Sequence, residues 1–196
     1  MVPPDSLDDE EHLRKARDAA LRFLTYRARS EAEVRRRLAK KYSPAIVDHV
    51  INALLLQRFL DDNSFAQQWR ENREHHRPRA KRMVQQELRQ LGITSEIIQD
   101  SLDGFSDETN AYEAGIKLAR KLANRNFSNE EFRRRISSLL QRRGFNYGVV
   151  RETVEKLHGE LGADSLHRQY DSDDHEQRTH PQDAKPYGNT QQAEQS

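Results

Sequence analysis

The sequence predicts an all-α protein: three tandem three-helix repeats that form an elongated, curved body with disordered acidic termini. Three observations lead to this prediction. Only 34% of the 196 residues are hydrophobic and 33% are charged, which suits several thin cores better than one thick core. Apolar residues recur at helical spacing through most of the chain. The chain also matches itself at an offset of 52 residues.

The first repeat is predicted over residues 9–57, and local signals place its three helices. Apolar residues from Leu13 onward fall on one helix face. Ser30 and Glu33 have the spacing of a capping box, which begins the second helix. Pro44 follows Ser43 at a first-turn position where its missing N–H costs nothing, and it begins the third helix.

The second and third repeats are predicted over residues 58–105 and 106–160. Further N-cap residues mark their helices: Asp61, Thr94, Ser106 and Ser128. The self-alignment pairs Val84 with Ile136, Leu88 with Leu140, Gly92 with Gly144, Ile93 with Phe145, Ile97 with Val149, Ile98 with Val150 and Leu102 with Val154. Repeats that stack on their neighbours form a thin, extended body. The alternative is one compact nine-helix bundle in which the repeat reflects ancestry only.

The two termini, residues 1–8 and 161–196, are predicted to be disordered because they are polar and acidic. The net charge is +1, but residues 1–12 carry −5 and residues 163–196 carry −4, so the centre carries +10. The part predicted to fold is therefore strongly basic.

Most catalytic and metal chemistry is disfavoured. The chain has no cysteine and no phosphate-binding glycine motif. His75 and His76 are adjacent, so on a helix they diverge by about 100° and do not form a ligand pair. Asp61 and Asp62 are more simply explained as helix-capping residues than as a metal or acid–base pair. We predict a protein without enzymatic activity, cofactor or bound metal. With no apolar stretch near the ~20 residues of a membrane span, we also predict a soluble, cytoplasmic protein.

Basic residues cluster once per repeat, on or just before the predicted middle helix. Such clusters predict a discontinuous basic band that contacts a polyanion or an acidic protein surface. The alternative is a solvated face balanced by nearby Glu. Aromatic residues mostly fall on core faces or helix junctions, so a base-stacking platform is not supported. The predicted contact residues are Arg35, Arg36, Lys40, Arg77, Arg79, Lys81, Arg82, Arg133, Arg134, Arg142 and Arg143.

Four segments in this order resemble the RecX family of bacterial recombination regulators. They are RSEAEVRRRL (29–38), RFLDDNSFAQQW (58–69), QQELRQLGI (85–93) and LLQRRGFNYGVV (139–150).

Three departures from the RecX pattern stand out. Arg58 occupies the place of a glycine before the aromatic residue, and Tyr42 lacks the glycine that usually precedes it. Ala80 and Lys81 stand where a Gly-Pro pair commonly begins the second repeat's middle helix.

The resemblance implies a non-catalytic modulator, most simply an inhibitor, of the RecA recombinase. RecX-like proteins bind the RecA filament on single-stranded DNA and restrain ATP hydrolysis, strand exchange and co-protease function, and so affect DNA repair and the SOS response. A monomer suits a filament groove best.

Two other hypotheses remain open from the residues. Three short helices with a tight turn also imitate a helix-turn-helix regulator that binds duplex DNA. However, the predicted third helices are apolar or acidic and poor in base-reading side chains. A scaffold or interaction protein that involves no nucleic acid is the other possibility.

Overall fold

The computed structural model describes the backbone of residues 7–125 and 127–176, and this part of the chain folds into α-helices without a strand. The predicted class of three tandem three-helix repeats is confirmed. The helices are α1 (Leu7–Thr25), α2 (Glu31–Leu38), α3 (Pro44–Leu56), α4 (Asp62–His75), α5 (Lys81–Gln90), α6 (Ser95–Ser101), α7 (Asp107–Ala123), α8 (Asn129–Arg142) and α9 (Tyr147–Glu176). We call α1–α3 repeat 1, α4–α6 repeat 2 and α7–α9 repeat 3.

The predicted caps begin the helices that they were assigned to. Ser30 and Glu33 form the complete capping box of α2. Side chains of the other predicted N-caps accept a backbone N–H three residues later: Asp61, Thr94, Ser106 and Ser128. Ser43 precedes Pro44 but makes no side-chain capping bond. The residue before α5 is Ala80, which has no side chain to cap with.

Each repeat has its own hydrophobic core. The helices of repeat 1 bury one cluster, those of repeat 2 a second and those of repeat 3 a third. The apolar residues predicted to face inward from the middle helices are at most 1% exposed: Val34, Leu38, Val84, Leu88, Ile136 and Leu140. A compact nine-helix bundle would share one core, so the arrangement favours tandem stacking.

The turns explain the departures from the RecX pattern. Arg58, where that family has a glycine, adopts a left-handed conformation with φ 56°. Among the non-glycine residues that the structure describes, it is alone in having a positive φ. The turn before Tyr42 needs no glycine, because Ala39 ends α2 in a right-handed conformation.

The described backbone of α1 and α9 reaches into the two terminal segments. α1 begins at Leu7, inside the segment 1–8, and the backbone of α9 continues to Glu176, although disorder was expected from residue 161. No proline interrupts α9, and adding a residue to an existing helix is far easier than nucleating a new one. The rest of the two predicted disordered segments, residues 1–6 and 177–196, lies outside the described residues.

Candidate functional site

The junction between repeats 1 and 2 is built on the N-terminus of α2. The backbone N–H of Glu31 donates a hydrogen bond of 2.9 Å to Oδ1 of Asp62, which begins α4. The hydroxyl of Ser30 donates to the carbonyl of Leu91 at 2.6 Å. Repeat 2 therefore satisfies polar groups at the start of a helix in repeat 1.

The junction between repeats 2 and 3 repeats this plan one unit later. The backbone N–H of Lys81, the first residue of α5, donates to Oδ1 of Asp107 at 2.6 Å. Asp107 begins α7 as Asp62 begins α4. The N–H of Ala80 also donates to the carbonyl of Arg143 at 3.1 Å. Both junctions thus place a carboxylate from the following repeat at the positive end of a middle helix, where the helix dipole favours it.

A glycine sits at each junction because the helices approach closely. Gly92 has φ 89°, and a Cβ there would lie 2.3 Å from Cβ of Ala32 in α2. Gly144 has φ 90°, and a Cβ there would lie 2.3 Å from Cγ of Met83 in α5. A side chain at either position would collide with the preceding repeat and strain the backbone.

Three of the predicted contact arginines also bind across the junctions. Nη1 of Arg36 donates to the carbonyl of Gln90 at 3.4 Å. Nε of Arg82 donates to the carbonyl of Gly144 at 2.6 Å, and Nη1 of Arg143 donates to the carbonyl of Pro78 at 3.1 Å. These guanidiniums join adjacent repeats. Each uses at least one N–H group inside the protein, so only its other N–H groups can bind a partner.

Arg143 lies close enough to Arg79 for the two positive charges to interact. Burial lowers the pKa of Arg143, and the positive charge of Arg79 lowers it further. Arg79 in turn forms an ion pair of 2.7 Å with Glu87. Repeats 2 and 3 therefore bring two predicted contact residues into one positive region.

Other predicted contact residues are paired inside their own repeats. Arg35 bonds to Asp48 and, at 3.1 Å, to Glu31. Nη1 of Arg142 donates to the hydroxyl of Ser138 at 2.8 Å. The sequence predicted both residues as partner contacts; in the structure Arg35 uses two of its N–H groups and Arg142 one on acceptors of its own repeat.

The remaining predicted contact residues face solvent. Lys40, Arg77 and Arg133 are exposed, and no acceptor for their side chains occurs among the described residues. Arg134 stands 3.9 Å from Glu131 but keeps 76% of its side chain exposed. Lys81 is partly exposed, and its bond to Asp107 uses the backbone only, which leaves the ammonium free. Each repeat thus contributes at least one exposed cation.

The adjacent carboxylates Asp61 and Asp62 act as caps in two different repeats. Asp61 accepts the backbone N–H of Ser64 in its own helix, and these hydrogen bonds lower the pKa of Asp61. Burial raises the pKa of Asp62, with a smaller contribution from the negative charges of Glu31 and Asp61. The two carboxylates have structural roles, as the sequence indicated.

Within residues 7–125 and 127–176, no three His, Cys, Asp or Glu residues are grouped as a metal would require. Across the same ranges, no helix is long and apolar enough to cross a membrane.

An apolar surface at the end of α3 was not predicted from the sequence. Leu56 is 86% exposed and Phe59 is 55% exposed, on either side of the left-handed Arg58, and Leu55 adds a partly exposed edge. The signal was available, because Leu55 and Leu56 extend the apolar run beyond the face that buries Ile51 and Leu54. Exposed clusters of large apolar residues are typical of contact surfaces.

Comparison with known proteins agrees with this architecture. Models of the first, second and third three-helix domains of RecX match residues 16–54, 61–102 and 106–154. Regulatory protein RecX of Mycobacterium leprae (strain Br4923) is 34% identical over 155 residues, which are 78% of this chain and 90% of that protein. Its counterpart from Mycobacterium avium (strain 104) is 32% identical with the same coverage.

A solved structure has the same fold. The crystal structure of RecX from Lactobacillus salivarius superposes with a TM-score of 0.63 at 25% identity, over 76% of this chain and 97% of that one. The three tandem domain matches, the relatives and the shared fold together show that the chain belongs to the RecX family of regulatory proteins.

Proposed function

We propose that this protein is a non-catalytic inhibitor of the RecA recombinase that acts in the cytoplasm as a monomer. It binds the RecA filament on single-stranded DNA, slows ATP hydrolysis and strand exchange, and so limits DNA repair by recombination and the SOS response. Family membership supports this proposal, because relatives are named regulatory proteins. The observation that carries it is the recurrence of exposed cations once per repeat on a tandem frame.

The physical reason is that a filament is itself a repeating target. Contacts from successive repeats can reach successive RecA subunits and the nearby DNA backbone. Each contact holds the next one at high effective concentration, so weak individual contacts add up to tight binding. Junction arginines such as Arg82 and Arg143 keep the spacing between repeats, and exposed residues such as Arg77 and Arg133 make the contacts.

Charge reversal tests the proposal. The variant Lys40→Glu/Arg77→Glu/Arg133→Glu changes one exposed cation in each repeat. We expect it to weaken inhibition of the DNA-dependent ATPase of cognate RecA at least tenfold while helical content by circular dichroism is unchanged. The matched control is Lys117→Glu/Arg120→Glu/Lys121→Glu, which makes the same charge change on exposed residues of α7 outside the predicted clusters.

Three results would contradict the proposal. Equal inhibition by the cluster variant, the control and the natural protein would remove the exposed cations from the mechanism. Tight, sequence-selective binding to duplex DNA without any effect on RecA would instead support the helix-turn-helix hypothesis. Binding to a partner that ignores added DNA and nuclease would support the scaffold hypothesis.

A further inference from the structure

We propose that a basic groove in repeat 1 binds one unstacked nucleotide of single-stranded nucleic acid. The groove lies between the C-terminal end of α1 and the turn that follows α2, and its volume is 360 Å³. Small-ligand sites span about 300–1,000 Å³, so this volume suits a single nucleotide and not a run of bases.

Charge in the groove is of one sign. Four cationic side chains line it, and none of its lining residues is acidic. No carboxylate partner for these four side chains is found in the part of the chain that the structure describes, in contrast to Arg35 of the same repeat and Arg79 of repeat 2. The four cations are Arg22, Arg37, Lys40 and Lys41. Such a concentration of unpaired positive charge favours a phosphate.

Aromatic rings accompany the cations. Tyr26 lines the groove and is 84% exposed. Phe23 also lines it, and the guanidiniums of Arg29 and Arg37 lie 4.0 and 5.8 Å from the centre of its ring. Cations already lie over the Phe23 ring, and Tyr42, which also lines the groove, is partly buried against the core of repeat 1. The exposed Tyr26 ring therefore offers the most open surface for a planar ligand. Aromatic rings beside cations are the combination that binds a base and its phosphate together.

The same combination distinguishes a nucleotide from an acidic peptide. A peptide carboxylate would use the four cations but gain little from an exposed tyrosine, whereas a base gains stacking energy from it. Tyr26 follows the last residue of α1, so its exposed ring lies at a helix junction and not on a core face. This inference rests on the proposed function for its biological setting, in which the nucleotide belongs to DNA at or near the filament.

Fluorescence anisotropy with free oligonucleotides tests the site without recombinase. The probes are an oligothymidine of about eight nucleotides and the same backbone with abasic positions. We expect the natural protein to bind the oligothymidine about tenfold more tightly than the abasic probe, since base stacking contributes about 1–3 kcal/mol per base. Tyr26→Ala should lose this tenfold preference and bind the abasic probe unchanged.

Two variants complete the experiment. Tyr147→Ala is the matched control, because Tyr147 is 75% exposed in repeat 3 and does not line the groove. It should retain the tenfold preference. Lys40→Gln/Lys41→Gln should reduce the salt dependence of binding, with a slope smaller by about 1.4 for two lost phosphate contacts on a single strand.

The outcomes separate this site from the proposed function. Equal binding of both probes by the natural protein, or an unchanged preference in Tyr26→Ala, would overturn the nucleotide site. So would displacement of the probe by oligoglutamate to the same extent in the natural protein and in Tyr26→Ala. A protein that discriminates the probes as expected but never inhibits RecA would support the site and contradict the proposed function.

Discussion

The two inter-repeat junctions follow one plan but differ in how the middle helix begins. At the first junction, α2 has its own capping box from Ser30 and Glu33, and Asp62 of repeat 2 adds a further bond. At the second junction, α5 begins after Ala80, which offers no side-chain cap. There the first backbone N–H groups depend on Asp107 and on the carbonyl of Arg143, both from repeat 3.

The difference shows that repeats 1 and 2 depend on their neighbours to different degrees. A helix leaves its first four N–H groups without an internal partner, and something else must satisfy them. In repeat 1 the local sequence supplies acceptors for a large part of the N–H groups at the start of α2. In repeat 2 the following repeat supplies it, so α5 should be well formed only when repeat 3 is in place.

The largest expected effect comes from the junction glycines. Gly92→Ala should lower the free energy of unfolding by about 3 kcal/mol, because a left-handed non-glycine residue costs about 1–2 kcal/mol and overpacking against Ala32 adds about 1–3 kcal/mol. Gly144→Ala should cost about 2 kcal/mol, since the flexible Met83 can move aside. Urea unfolding followed by circular dichroism measures both.

Gly104 supplies the control for the glycine series. It has φ 67° with nothing within 4 Å of an added Cβ, so Gly104→Ala should show the backbone cost alone, about 1 kcal/mol. An equal cost for all three substitutions would mean that close packing at the junctions contributes nothing.

Loss of the junction carboxylate should destabilise the protein more at α5, which has no cap of its own, than at α2, which has one. Asp107→Ala should cost about 2 kcal/mol, because α5 has no cap of its own, and Asp62→Ala about 1 kcal/mol, because α2 keeps its capping box. Thermal and urea unfolding check the order. Glu108→Ala controls for the loss of an acidic residue, because Glu108 lies in the same first turn of α7 but its carboxylate accepts from the Ser106 hydroxyl and not from α5. If Asp62→Ala lowers the free energy of unfolding more than Asp107→Ala does, the idea that α5 depends more than α2 on a cap from the next repeat is wrong.

The contributions of the adjacent carboxylates Asp61 and Asp62 to folding stability should change with pH in opposite directions. The pKa of Asp62 is raised, so its ionised form opposes folding above that pKa, and the cost disappears as pH falls below the ordinary value of about 3.9. Asp62→Asn keeps an acceptor for Glu31 and removes the charge that burial disfavours, so it should be at least as stable as the natural protein at neutral pH. This advantage should vanish near pH 4.

The pKa of Asp61 is lowered, so its contribution to stability is present above the ordinary value and is lost as pH falls through the folded pKa. Asp61→Ala should therefore cost about 1 kcal/mol at neutral pH and less in acid. Unfolding curves over this pH range test both variants, and parallel pH profiles for the two would show that their different burial does not matter.

The smallest effect is expected at the turn that departs from the family pattern. Arg58 holds φ 56°, so Arg58→Gly should stabilise the fold by up to about 1 kcal/mol. A rise in melting temperature is the measurement. Arg58→Ala is the control, because it removes the charge but retains the backbone strain, and it should not raise the melting temperature.

Much of the fold could be predicted from the sequence because its signals are local. As N-caps, Ser30, Asp61, Thr94, Ser106 and Ser128 accept a backbone N–H three residues later, so these capping roles follow from spacing alone. The periodic apolar residues likewise identified the buried faces of the middle helices.

The candidate site was less predictable, because a cluster of arginines in sequence does not show where each guanidinium will bond. The sequence by itself determined the helices, the threefold repeat and the basic centre of the chain. Only the tertiary structure decided that Arg36, Arg82 and Arg143 bond to backbone carbonyls of adjacent repeats, while Arg77 and Arg133 remain exposed. The physical reason is distance along the chain: these acceptors lie more than fifty residues from their donors, and no local pattern encodes such a pairing.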